Sequence, residues 1–248
     1  MDVSSDVNTV FAYTNPAHKF HTPVSLHMAK RKRHHYVLLA KVNSSFLYTY
    51  TNLLTDCGNI IVQAITGFRE EREKANAKNP LSAFSISAIV NSKIKELLEE
   101  YNDKYSNFNI KSTKEYIDLL LTKFSIPELY ENDKALGEFR EQYLMEADKR
   151  AFEALNKFVR FFQHYDLMKI EEYENYENWL KKIKDSSQDV FENKQDFEDM
   201  KIAAELLSYN EELGKLSFFT CDFNMHKSIL TVAKENKQNV GDIEIIKK

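Results

Sequence analysis

Glycine and proline are scarce, five and four in 248 residues. So few turn formers favour a mostly helical chain with few tight turns. Cysteine is scarcer still: Cys57 and Cys221 lie far apart, with no CxxC pair. That excludes a disulfide framework and a paired-cysteine zinc knuckle, and it suits a reducing cytoplasm. Long apolar runs are missing too. The longest, such as NIIVQAITGF (59–68), fall well short of the about 20 residues a membrane-spanning helix needs, so no membrane partner is expected. No basic segment followed by an apolar run opens the sequence, so no signal peptide is read. There is no Gly-rich phosphate loop and no GxSxG elbow, which argues against an NTPase and against acyl transfer. Net charge is −4, with a pI near 6.0. That excludes coating of nucleic acid through bulk charge while leaving room for a local basic groove.

What is present is strand–helix alternation at both ends of the chain. MDVSSDVNTVFAY opens with a short strand, and Asp6 or Asn8 is placed to cap a helix. A loop follows, then a helix with Pro23 in its first turn and the basic run KRKR at its end. HYVLLAKV (35–42) reads as a second buried strand, and NSSFLYTYTNLLTDCGN as a capped helix ending near Gly58. From about 60 to 165 almost everything is helical. Ile89, Ile94, Leu97 and Leu98 mark one apolar stripe, and Ser112 and Glu115 form a Ser-x-x-Glu capping box. KALGEFREQYLMEADKRAFEALNKFVRFFQHY is long enough for one extended helix or two, with Gly137 the weak point. Then YDLMKI is a third strand, NYENWLKKIKDS a helix and SSQDVFENKQ a loop. DFEDMKIAAELLSYNEELG is an amphipathic helix, LSFFTCDF a strand, MHKSILTVAKENK a helix and DIEIIKK a last strand. The expected organisation is an α/β domain built from 1–58 and 165–248 around a mostly parallel sheet, with 59–164 as a helical insertion.

The chemistry centres on acids at strand ends. Asp6 follows the first strand and Asp222 follows SFFT, and in a parallel sheet all such ends share one edge, where ligands bind. Asp199 lies three residues before Ile202, on the side that Ile202, Leu206 and Leu207 bury; Asp196, one turn earlier, reads as a solvated cap. Clustered carboxylates repel unless a cation holds them, and hard oxygen ligands select Mg²⁺ or Mn²⁺. Thr220, on the same strand face as Asp222, can offer its hydroxyl to a bound water or a phosphate.

These segments resemble the PIN-domain nucleases. SSDVNTVFAY is similar to that family's opening strand, Asp-x-Asn and helix, and DFEDMKIAAELL to its late helix. FFTCDFN is similar to its Thr-x-Asp strand end, and residues 15–47 to its first loop, second helix and second strand. The resemblance covers roughly residues 1–55 and 165–248 and not the insertion. It implies a three-layer α/β/α fold with a mostly parallel central sheet. It also implies hydrolysis of phosphodiester bonds in RNA or structured DNA. Asp6, Asp199 and Asp222 would hold Mg²⁺ or Mn²⁺, and Asn8, Thr220 and Asn224 would support them. Two positions depart from the pattern. The acid expected early in the helix after the second strand is replaced by Ser44 and Ser45, and a further acid after Thr-x-Asp by Asn224. Asp148 or Glu153 of the insertion are candidates to substitute. Those departures support an alternative, a degenerate PIN-like fold that binds nucleic acid or protein without catalysis, with the insertion as its protein-contact surface. DVNTV also resembles the Asp-x-Asp-x-Thr of haloacid dehalogenase phosphatases, but Asn8 stands at the second acid and no downstream Gly-Asp-x-x-x-x-Asp follows.

The remaining motifs have plainer readings. His18, His21, His27, His34 and His35 lack HExxH spacing and read as surface or loop residues. Lys30, Arg31, Lys32 and Arg33 form a solvated helix end or a phosphate-backbone contact. Phe46, Tyr48, Tyr50, Phe158, Phe161 and Phe162 read as core rings, with base stacking the alternative.

Overall fold

The structure, a computed structural model, describes residues 2–15, 18–77, 79–104, 110–168, 173–185 and 196–247. In chain order the elements are β1 (Asp2–Ser5), α1 (Val7–Thr14), α2 (His21–Ala29), β2 (His35–Leu38) and α3 (Ala40–Lys74). Then come α4 (Ala83–Lys104), α5 (Ile110–Leu121), α6 (Ile126–Glu131), α7 (Asp133–Val159) and β3 (His164–Leu167). The last are α8 (Tyr176–Asp185), α9 (Asp196–Glu212), β4 (Leu216–Thr220), α10 (Phe223–Glu235) and β5 (Ile243–Ile245). The expected loop SSQDVFENKQ lies outside the described residues. The chain divides into two compact units, 1–48 with 152–248, and 49–151. Both joins fall inside continuous helices, α3 and α7.

The first unit is mixed α/β. Among the described residues its five strands are all parallel, in the order β3-β2-β1-β4-β5. The chain steps outward from β1 through β2 to β3, then returns to place β4 on the other side of β1. The strand order therefore reverses between β1 and β4, the position at whose carboxyl edge open α/β sheets bind ligands. All five residues of β4 are buried, because the sheet centre excludes water from both faces. β3 lies at the sheet margin, and all four of its residues are exposed.

The helix read as amphipathic is not. From Ile202 to Asn210 every residue of α9 is buried, Glu205 and Ser208 included. The small side chains of Ala203, Ala204 and Ser208 let neighbours close on several sides, and Ser208 returns its hydroxyl to Ala204 O at 2.8 Å. Asn210 Oδ1 accepts from the N–H groups of Leu216 and Gly241, at 3.1 and 3.0 Å, tying α9 to the start of β4. Gly241 leaves no room for a side chain: a Cβ would sit 2.4 Å from Leu216 O.

The second unit is helical. On α4 the buried stripe is Ile86, Val90, Ile94 and Leu98, an i, i+4 row, and Ile89 turns outward at 36% exposure. Two expected boundaries move. Gly58 does not end α3, which runs on to Lys74; it sits opposite Tyr143, whose ring atoms would be 2.4 Å from an added Cβ. Gly58 therefore serves a close helix–helix approach rather than a stop. Ser112 lies inside α5, which starts at Ile110. The Ser-x-x-Glu cap occurs instead at Ser125, whose side chain accepts from Glu128 N at the start of α6, with Pro127 in the first turn. Gly137 interrupts nothing, and α7 is one continuous helix. Arg69 closes the end of α6 by donating to Tyr130 O and Leu129 O and pairing with Asp133.

Candidate functional site

β1 ends at Ser5, and Asp6 is the N-cap of α1, with extended backbone (φ −81°, ψ 172°). Its Oδ1 accepts from Thr9 N at 2.8 Å, and its Oδ2 from Thr220 Oγ1 at 2.5 Å. Only 2% of Asp6 is exposed. Burial pushes its carboxyl up to about 6; the bonds from Thr220 and Thr9 oppose that rise, and the neighbouring charge of Asp222 adds to it. Below Asp6, Ser5 Oγ and Tyr36 Oη share a buried hydrogen bond of 2.9 Å. Burial drives the Tyr36 hydroxyl above its usual range, so it stays protonated.

β4 ends at Thr220, and Asp222 is the N-cap of α10. Its Oδ1 accepts from Asn224 N and Met225 N at 2.8 and 3.1 Å, and its Oδ2 from Asn8 Nδ2 at 3.4 Å. Its own N–H donates to Thr220 Oγ1 at 2.8 Å. The Thr220 hydroxyl is thus an acceptor toward Asp222 and directs its one proton at Asp6. Asn8 contributes a side chain to this corner; Asn224 contributes its backbone N–H.

Asp199 stands in the first turn of α9, half-buried. Asp196 opens that helix, and its side chain lies outside the described residues. Among the described residues no three His, Cys, Asp or Glu side chains gather to hold a metal ion. The structure therefore brings Asp6 and Asp222 together around Thr220 and does not group Asp199 with them. Of the candidate substitutes, Asp148 is exposed on α7 in the second unit, and Glu153 lies on α7 in the first.

The acids beside β2 come from α9. Glu198 Oε2 accepts from Ser45 Oγ at 3.0 Å and pairs with Lys201. Burial acts to raise its pKa, but the bonds from Lys201 and Ser45 and the charges of Lys201 and Lys41 hold it below the ordinary value. Glu205 is fully buried; its two oxygens accept from Ala40 N and Lys41 N at 2.6 and 2.8 Å, capping α3 where it leaves β2. Burial pushes Glu205 up to about 7 against those two bonds and the charge of Lys41. Sequence reading missed both residues. The available signal was a lone acid inside the apolar run IAAELL, which a solvent-facing helix would not require.

The basic run lies at the other edge of the sheet. It follows α2 and precedes the first residue of β2. Arg31 is committed to Glu244, donating to both its oxygens at 2.5 Å, while Lys30, Lys32 and Arg33 are exposed.

Fold and site together define an α/β protein with an all-parallel five-stranded sheet and a pair of linked carboxylates at the switch in strand order. Comparison with protein-family models, with curated proteins and with solved structures gives no match to the chain. No described helix is long and apolar enough to cross a membrane.

Proposed function

We propose that the protein is a PIN-like, three-layer α/β/α nuclease that hydrolyses phosphodiester bonds, with RNA as substrate and structured DNA as the alternative. The supporting observation is the Asp6–Thr220–Asp222 linkage at the carboxyl ends of the two strands that flank the topological switch. The donor set fits Mg²⁺ or Mn²⁺: both acids are hard oxygen donors, and Mg²⁺ characteristically takes one or two carboxylates and keeps waters and substrate phosphate for its remaining positions. Asp6 and Asp222 would hold the ion, with Asp199 the further acid of the family pattern. A bound divalent ion supplies charge for the transferring phosphoryl oxygens and acidifies water. The chain's own groups do the rest. Thr9 N and Thr220 Oγ1 fix the Asp6 carboxylate, the first turn of α10 fixes Asp222, and Asn8 Nδ2 approaches the free oxygen of Asp222. Glu205 holds the start of α3 against the sheet edge. Both cysteines are free thiols, in keeping with a reducing cytoplasm. The helical unit, which exposes Phe84 and Met145, is the proposed surface for a protein partner. The test is cleavage of single-stranded RNA with and without Mn²⁺. Cleavage that needs the ion and is lost in Asp222→Asn is expected; equal cleavage by that variant removes the catalytic role.

A second reading, a PIN-like binding module without catalysis, is favoured by one observation. Each acid already spends an oxygen on a helix cap, and no third acid joins them among the described residues. Calorimetry separates the two. The nuclease requires Mn²⁺ binding that Asp222→Asn weakens, whereas the binding module retains RNA or partner protein with no heat of ion binding.

A further inference from the structure

We infer that a groove at the amino edge of the sheet, remote from the strand ends that carry the acids, is a binding site for single-stranded nucleic acid. It has a volume of about 600 Å³ and is lined by Tyr13, Phe152, Asn156, Lys157, Arg160 and Phe161. The sequence places these groups together. Phe152, Asn156 and Arg160 form one i, i+4 row and Lys157 and Phe161 the adjacent one, and the bond from Arg160 N to Asn156 O at 3.0 Å carries the helical path past the end of α7. Tyr13 arrives from the last turn of α1, its ring centroid 5.5 Å from those of Phe158 and Phe161. The location follows from topology: α1 starts at the carboxyl edge and runs away from it, and Phe161 comes just before β3. Gln163 N donates to Lys32 O at 3.2 Å, which joins the entrances of β3 and β2.

Two properties select the occupant. The first is exposed aromatic surface: Phe152 is 59% exposed, and Tyr13 and Phe161 are each half-buried. The second is unspent positive charge. Lys157 and Arg160 are exposed and pair with no acid among the described residues. Lys32 adds a third cation, with its ammonium 5.9 Å from the Phe161 ring centroid. Exposed Lys30 and Arg33 flank it in sequence. The carboxylate lining the groove, Glu153, has an interaction of its own. Partly exposed rings beside cations that no described carboxylate neutralises match a strand that offers flat bases and a phosphate at each step. In a duplex the base faces are stacked on one another and the rings have nothing to accept. This site stands apart from the hydrolytic reading and survives its failure, because it uses none of the acids.

The test is fluorescence anisotropy of a short fluorescein-labelled oligouridine, and of the same length as duplex RNA, titrated with the full chain in EDTA so that nothing is cleaved. The intact protein should bind the single strand in preference to the duplex. Lys157→Glu with Arg160→Glu should weaken binding by about tenfold or more and flatten the log–log salt slope by about 1.4, near 0.7 for each lost phosphate contact. Phe152→Ser should weaken it by about fivefold or more, with Phe152→Tyr restoring it. All these positions are exposed, and unchanged circular dichroism will show that the variants fold. Lys227→Glu, an exposed charge reversal on α10, should leave binding as it was. Absence of binding, equal affinity for duplex, undiminished binding by the double reversal, or a preference for phosphatidylserine vesicles over the oligonucleotide would each overturn the assignment.

Discussion

Thr220 Oγ1 donates its proton to Asp6 Oδ2 across 2.5 Å, joining two residues 214 positions apart in the chain. The bond is buried, and Thr220 has no exposed surface. Replacing Thr220 with Val keeps the shape and deletes the donor. A buried carboxylate that loses a hydrogen bond costs about 1–3 kcal/mol. We expect Thr220→Val to lower the urea midpoint accordingly, with an unchanged m-value, and to impair any ion-dependent cleavage. Wild-type stability in this variant would mean that the bond contributes nothing.

Asp222 is asked to serve as cap and as ligand, and two variants part these roles. Asn caps helices as well as Asp does, so Asp222→Asn should change stability by only a few tenths of a kcal/mol. Asp222→Ala should lose about 1 kcal/mol through the freed N–H groups of Asn224 and Met225. Both should bind Mn²⁺ more weakly in calorimetry. If only the Ala variant does so, the ion responds to helix geometry rather than to the carboxylate's charge.

Two acids carry raised pKa values, Asp6 at about 6 and Glu205 at about 7. Each holds its proton more tightly folded than unfolded, so between about pH 4 and 7 the native state binds more protons. Stability contributed by these groups is therefore full below pH 4 and is lost as pH rises through 6 and 7. Urea midpoints should fall between pH 5 and pH 8, and the fall should shrink in Glu205→Gln. A midpoint that rises over that interval in the wild type but not in Glu205→Gln would reverse the sign assigned here.

Gly58 meets Tyr143 without space for a methyl group. Gly58→Ala should destabilise the protein by about 1–3 kcal/mol, the usual cost of overpacking. Tyr143 also donates to Asn59 Oδ1 at 2.7 Å, so Tyr143→Ala carries its own penalty. The double variant should be less destabilised than the sum of the two, since the second change removes the clash. Strict additivity would place the strain somewhere else.

What could be read from the sequence followed periodicity and strand ends. The strands at Asp2–Ser5 and Leu216–Thr220 stood out because β-branched, aromatic and small residues cluster there, and both were expected to end beside an acid. The helix expected in NYENWLKKIKDS forms at Tyr176–Asp185, but that it buries Tyr176, Leu180 and Ile183 along with Trp179 is visible only in the structure. Gly58 was misread because a glycine after a periodic run signals a stop, and only the position of Tyr143 shows what it accommodates. Ser112-x-x-Glu115 carries the same letters as Ser125-x-x-Glu128, and the chain starts a helix only at the latter, where Pro127 reinforces the first turn. Glu205 escaped notice because its partners are backbone N–H groups of Ala40 and Lys41, which leave no mark in side-chain spacing. The helix α9 looked one-sided for the same reason: a pattern of letters reports polarity, and here polar groups are buried with their bonds satisfied.

The central position of β1 has a consequence for how the molecule comes into being. Once made, β1 waits for β4, whose residues 216–219 pair with its residues 2–5 only after some two hundred intervening residues have been added. Contacts of such long sequence separation close slowly. The helices between rely on nearer neighbours and can order sooner, so the strand ends that carry the two acids come together after those helices have formed.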